Sequence, residues 1–318
     1  MVRSFAILAA FGLAVFLGVP GSSQEIPCFH RLLPVTVEDS KGVSIKDLQA
    51  GDLQTKLRAG PMKIVSLGPD TRPHRLVILI DASGSMATQR RRVGVLTAAL
   101  AETPLPNTKI AMMVFSDRID EEISFSQPES MITERLRQIN SPGGGSLLSF
   151  HGRTALYDSL LAGLRMLETP TSADSLYLIS DGADDASRAK FDQVERSLTS
   201  SGVRLFVSLM LASISNRHPT PAETAGPQEM RELVHRTGGE ILIGSDEATS
   251  TRGKVSEQST DVIHALAQRV TQDYLLEVEL PTSLRKPMPW DLKLSPEDRK
   301  RWKSAQINYP AEMVPCTP

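Results

Sequence analysis

LVILIDASGSM, running from Leu76 to Met86, opens on five apolar strand formers and closes on an aspartate and two serines spaced one residue apart. A run that is apolar on both faces suits a strand buried on both sides, as in a parallel sheet covered by helices. Four more runs share that character: KIAMMVFS, SLYLISD, RLFVSLML and EILIG. Helical spacing lies between them. Val93, Leu96 and Leu100 fall on one helix face, and Leu156, Leu160, Leu164 and Leu167 on another. Strand alternating with helix predicts an α/β fold, a doubly wound and mainly parallel sheet. Such sheets bind ligands at the carboxyl ends of their strands, and Asp81, Ser83 and Ser85 stand at such an end.

Outward from this core the pattern changes. PVTVED, LQTKLR and KIVSLG before it, and DYLLEVEL, WDLKL and AQINYP after it, read as short strands, and GPDTRP (68–73) reads as a linker. The helix TDVIHALAQRVTQ closes the core. DRKRWK and the arginines 90–92 read first as solvated faces, the latter also placed to steer an acidic partner.

The N-terminus reads as a targeting segment. Met1-Val2-Arg3 carries one positive charge, the apolar SFAILAAFGLAVFLGV follows, and Pro20-Gly21 leads into small residues. This is the plan of a secretory signal peptide, short for a membrane span. Cleavage is expected after Ser23, with retention as an anchor as the alternative. No second run approaches membrane length, so the mature chain is expected to be secreted or periplasmic without a span. Of the two cysteines, Cys28 lies near the expected new N-terminus and Cys316 near the C-terminus. An even count in an exported chain favours a disulfide, which across so long a loop contributes on the order of 4 kcal/mol in the chain-entropy model; two free thiols are the alternative. The expected organisation is a signal peptide over 1–23, a β-rich segment over 24–73, the α/β domain over 74–272, and a β-rich segment over 273–318 packing with the first.

Two further features join the Asp81 stretch. HGRTALYDSL places Thr154 in a loop just before a helix, and LYLISDG places Asp181 at the end of another buried strand. A doubly wound sheet brings these loops to one edge. Three hydroxyls and two carboxylates are hard oxygen donors, suited to Mg²⁺, Mn²⁺ or Ca²⁺ and not to zinc. Neutral hydroxyls leave the cation electron-poor, so an open position would attract an external carboxylate. Both aspartates are expected on surface loops, so that Asp81→Ala or Asp181→Ala should spare the fold.

Asp81, Ser83, Ser85, Thr154 and Asp181 resemble, residue by residue, the metal-ion-dependent adhesion site of von Willebrand factor A (VWA) domains, with DASGSM, TALYD and SDG as its surroundings. The resemblance covers roughly residues 75–272. The flanking β-rich segments are similar to an exported subgroup of these domains frequent in acidobacteria. The resemblance implies a Rossmann-like fold and binding of a protein partner through a divalent cation, Mg²⁺ first, with an acidic residue of the partner taking the open position. Arg153 departs from the family, which usually has glycine there. Arg153, His151 and Asp184 are candidates for a partner-binding rim; Asp184 and Asp185 read first as exposed loop acids, with a neighbouring cation site as the alternative, and His151 is a loop histidine at the pocket rim.

Other functions are disfavoured. Lys+Arg is 35 against Asp+Glu 37, and aromatic residues make up 5% of the 318, a poor balance for nucleic-acid binding. Aspartyl phosphoryl transfer needs a second carboxylate where Ser83 stands. ASGSM is not G-x-S-x-G, and GGGS (143–146) lacks the lysine of a phosphate loop. The chain is therefore expected not to be an enzyme. A metal-independent scaffold of the cell envelope is the alternative, a metal-dependent hydrolase the less favoured one.

Overall fold

The computed structural model describes residues 29–40, 43–58, 60–139, 148–210, 220–243, 254–271 and 273–315. Cys28, Cys316, the signal segment and the GGGS run lie outside the described residues.

The chain opens with β1 (His30–Glu38), β2 (Leu53–Leu57), β3 (Gly60–Pro61) and β4 (Lys63–Pro69). The α/β core follows: β5 (His74–Asp81), α1 (Arg90–Glu102), β6 (Thr108–Phe115), β7 (Ile119–Ile123), α2 (Glu129–Ile139), α3 (Leu156–Met166), β8 (Asp174–Ser180), α4 (Phe191–Ser201), β9 (Arg204–Leu209), α5 (Pro221–Thr237), β10 (Ile241–Ile243) and α6 (Lys254–Thr271). The chain ends with β11 (Tyr274–Glu279), β12 (Met288–Leu294), α7 (Asp298–Arg301), β13 (Gln306–Asn308) and β14 (Glu312–Met313).

The core sheet runs β10-β9-β8-β5-β6-β7, parallel except for β7 at one edge. The opening stretch explains why β5 sits inside it. Leu76, Ile78 and Ile80 pack on one face among residues of α1, α2 and α6, while Val77 and Leu79 pack on the other among residues of α3, α4 and α5. All five are fully buried. At about 1.5–3 kcal/mol for each buried side chain of this size, only a strand covered on both sides is favoured by such a sequence. The expected helix faces also hold: Val93, Leu96 and Leu100 are buried, as are Leu156, Leu160 and Leu167, with Leu164 half-buried against the same core. The arginines differ from one another. Arg90 and Arg91 are exposed, but Arg92 is buried with its guanidinium on the Gln89 side chain, and the solvated-face reading fails for it.

The two β-rich segments form one module, as the fold reading expected. Its sheets run β13-β1-β11-β4 and β14-β12-β2-β3, each mixing strands from both ends of the chain. Val35, Val37, Leu57, Leu276, Val278, Trp290 and Leu292 fill a single core between them. Within the stretch read as a linker, Gly68 and Pro69 are strand, paired with Leu275 and Tyr274.

The module meets the α/β core through buried charge. Arg204, the first residue of β9, is ion-paired with Asp273, whose other oxygen accepts from the Thr36 hydroxyl of β1 at 2.7 Å. Arg269 of α6 pairs with Glu38 of β1 at 2.5 Å and also with Glu240. Arg204, Asp273, Arg269 and Glu38 are all buried.

Candidate functional site

Asp81 is the last residue of β5 and reaches the carboxyl edge of the sheet. It is completely buried, which corrects the expectation of a surface-loop aspartate. The reason is register: Asp81 still pairs with Phe115 of β6, and the chain leaves the sheet only after it. Its Oδ1 accepts the backbone N–H of Ser83 at 2.9 Å, and its Oδ2 accepts the Ser180 hydroxyl at 2.6 Å. Ser83 ends the extended segment and begins a 3₁₀ turn over Gly84–Gln89, which carries Ser85. The Ser83 and Ser85 hydroxyls lie 3.1 Å apart.

Asp181 follows β8, where Gly182 turns the chain at φ 85°. A Cβ on Gly226 of α5 would lie 2.1 Å from the Gly182 carbonyl oxygen, so this turn rests directly on the helix backbone. The Asp181 carboxylate accepts the Ala183 N–H at 3.0 Å, and the Ser85 hydroxyl favours its charged form. Asp81, Ser83 and Ser85 thus form one hydrogen-bonded chain at the end of β5, with Asp181 at the neighbouring strand end.

Thr154 arrives from the third loop, just before α3, and is buried. Backbone bonds stitch that loop to its neighbours. His151 N–H donates to Ala82 O at 2.9 Å, Gly84 N–H to Gly152 O at 3.1 Å, and Ala155 N–H to Ser116 O at 2.8 Å. Gly152 takes φ 69°, and a Cβ there would meet the Asp117 carboxylate at 2.9 Å. The three loops predicted to converge do so.

The electrostatics follow from that convergence. Burial, and then the Asp181 carboxylate, push the Asp81 pKa up to about 7. Burial also raises Asp181, partly offset by the Ser85 hydroxyl and the Ala183 N–H. Two carboxylates that disfavour each other's charge are a place where a cation would be stabilised. Among the described residues no three His, Cys, Asp or Glu side chains gather into a metal-binding group. This set has only two carboxylates, so hydroxyls would carry the rest of a coordination shell of hard oxygens.

The rim candidates are placed differently. Arg153 is largely exposed, with its Nε 3.3 Å from an Asp185 oxygen. His151 is half-buried, with Nε2 3.4 Å from Asp120 and Nδ1 3.5 Å from the Ser116 hydroxyl, so its ring faces the β6–β7 turn. Asp184 is half-buried and its Oδ1 accepts the Tyr157 N–H at 3.2 Å, at the start of α3; it is not the exposed loop acid of the sequence reading. Ser180 escaped the sequence, and Asp185 was read there without its tie to Thr154. Ser180 bridges Asp81 and the Gly182 N–H; its signal is a hydroxyl inside an apolar strand immediately before the aspartate. Asp185 accepts the Thr154 N–H at 2.7 Å.

The model of the family described as VWA domain containing CoxE-like protein matches residues 49–237, more than half of the chain. The chain belongs to this family. The VWA assignment agrees with the doubly wound, mainly parallel sheet. Similar solved structures include a von Willebrand factor type A from Catenulispora acidiphila, 14% identical, covering 85% of this chain and 74% of that one at a TM-score of 0.45. An aerotolerance-related membrane protein from Bacteroides fragilis NCTC 9343, with multiple mutations to serines, is 16% identical over 61% of this chain and 98% of its own, at 0.41. The conserved hypothetical protein BatB from Bacteroides thetaiotaomicron is 14% identical over 60% of this chain and 98% of its own, at 0.35. At such identities and TM-scores the likeness carries no functional information. No curated protein matches the chain. Among the described residues no helix is long and apolar enough to cross a membrane.

Proposed function

We propose that this VWA protein is an exported, non-enzymatic binding module that takes a protein partner through a divalent cation. The observation that supports it is Asp81: a fully buried carboxyl, pushed up to about 7 by burial and by Asp181, beside two linked serine hydroxyls. Such a pair is destabilising when ionised alone and favourable around a cation. Asp81, Ser83, Ser85, Thr154 and Asp181 would hold the ion. Mg²⁺ is the first candidate, with Mn²⁺ and Ca²⁺ sharing the same donor preference. When bound, the ion supplies an electron-poor position that an acidic residue of the partner can fill. The chain's own part is to hold that position rigid: Ser180 fixes Asp81, the Gly182–Gly226 contact fixes the Asp181 turn, and the backbone bonds at 151–155 fix Thr154.

The test is calorimetric titration of Mg²⁺, then Mn²⁺, into chelator-stripped protein, with Asp181→Ala as control. One-to-one binding in the wild type and none in the variant is expected. Equal binding by the variant would show that the ion sits elsewhere. Uptake of neither ion by the wild type would return the protein to the metal-independent scaffold reading.

Export and the disulfide form part of the same proposal. Arg31 Nε donates to the Val314 carbonyl at 3.1 Å, so chain positions three residues after Cys28 and two before Cys316 are neighbours. Intact mass of the secreted protein, before and after reduction, reads both features. A chain starting at Gln24 that gains two hydrogens on reduction is expected; a full-length chain, or one already reduced, would remove the corresponding part.

A further inference from the structure

We infer that Asp185 is a positioning residue that sets Thr154 against the Asp181 loop; the inference rests on the cation-binding reading above. Asp185 Oδ1 accepts the Thr154 backbone N–H at 2.7 Å. The same turn returns the contact, because the N–H groups of Asp185 and Ala186 donate to the Thr154 carbonyl at 3.0 and 2.9 Å. Both backbone polar groups of one proposed ligand are therefore held by the loop that carries another. Further bonds join the two segments along α3, from the Tyr157 N–H to Asp184 and from the Arg188 and Ala189 N–H groups to Asp158, but the Asp185 bonds are the ones that reach Thr154 itself.

The side chain is required for half of this clamp. Thr154 is buried, and a buried N–H that loses its acceptor bears the full desolvation cost. A bond from N–H to an ionised carboxylate is among the stronger ones. The second oxygen, Oδ2, faces Arg153 Nε at 3.3 Å. Arg153 and Asp185 side chains are 67% and 45% exposed, so that pair is screened and contributes little. What the geometry needs at 185 is an acceptor of this reach, and the charge is secondary. Asp184 does separate work at the α3 N-terminus.

This gives a pattern that a dispensable loop acid would not produce. In Mn²⁺ titration of the chelator-stripped full chain, Asp185→Ala should weaken binding about tenfold or more, while Asp185→Asn and Arg153→Ala stay within about threefold of wild type. Amide hydrogen exchange at Thr154 in the metal-free protein supplies a readout independent of the ion: slow in wild type and in Asp185→Asn, fast in Asp185→Ala. An alanine variant that binds Mn²⁺ like wild type, or an asparagine variant as weak as alanine, would overturn the inference. Should the wild type take up no Mn²⁺, the cation reading fails by itself. Thr154 exchange then decides the positioning role, which stands if only the alanine variant exchanges fast and falls if none does.

Discussion

Asp81→Asn is expected to raise the stability of the cation-free protein and, in the same molecule, to abolish its stabilisation by Mg²⁺. In the fold Asp81 is fully buried and its pKa is pushed up to about 7 by burial and by Asp181. At neutral pH it is ionised in the unfolded chain but only about half ionised in the fold. Folding must therefore take up protons there, and the group subtracts from stability, the more so as pH rises toward 7. A shift of this size corresponds to at most about 4 kcal/mol at 1.36 kcal/mol per pKa unit. Asparagine keeps the acceptor for the Ser83 N–H but turns an amide donor toward the Ser180 hydroxyl. Ser180 must then accept from it as well as from Gly182, and part of the gain is lost. A net rise of about 2 kcal/mol is the expected result, seen as a higher melting temperature in chelator. Wild type, by contrast, gains about 2.7 kcal/mol when Mg²⁺ is present at a hundredfold its dissociation constant. The order of the two melting temperatures should therefore reverse on adding Mg²⁺. A variant that melts lower than wild type in chelator, or that rises with Mg²⁺ as wild type does, would contradict the electrostatic reading of the pair.

The β5 strand and the strand-end position of Asp81 were legible because their signals are local. Leu76 to Ile80 is apolar on both faces, and a strand end followed by D-x-S-x-S needs no knowledge of distant residues. What was not legible depends on which loops become neighbours. Asp185 in ADDAS looks like a solvated acid until the Thr154 loop is set beside it, and Asp184 until α3 is. Asp81 itself was misread as exposed because the last residue of a strand carries no mark of how far the neighbouring strand extends; here it runs to Phe115 and covers it. β7 was missed for another reason. RIDEEI offers only Ile119 and Ile123 as apolar positions, and of these only Ile123 is buried, as an edge strand permits. Arg92 breaks the charge-run rule because one member of three faces inward on α1.

The largest loss of stability is expected from Asp273→Ala. Asp273 joins three parts of the chain: Arg204 opening β9, Thr36 in β1, and, through its carbonyl, the Asp70 N–H at 2.8 Å. Removing the carboxylate strands Arg204, which is 1% exposed and cannot shed its charge. Breaking such a buried pair from one side costs about 3–5 kcal/mol, whereas replacing both members with apolar groups is often close to neutral. Asp273→Ala should thus lower the denaturant midpoint severely, and Arg204→Met with Asp273→Leu should recover most of it. If the double variant is as unstable as the single one, the two side chains matter through their other contacts and not through each other. The same pair also separates fold from site. Arg204 lies at the amino end of β9 and the proposed cation ligands at the carboxyl edge, a strand length away, about 17 Å at 3.3 Å per residue. Perturbations that far apart and without a shared partner act additively. The repaired double variant should therefore bind Mg²⁺ as wild type does, while Asp81→Asn should leave the junction untouched.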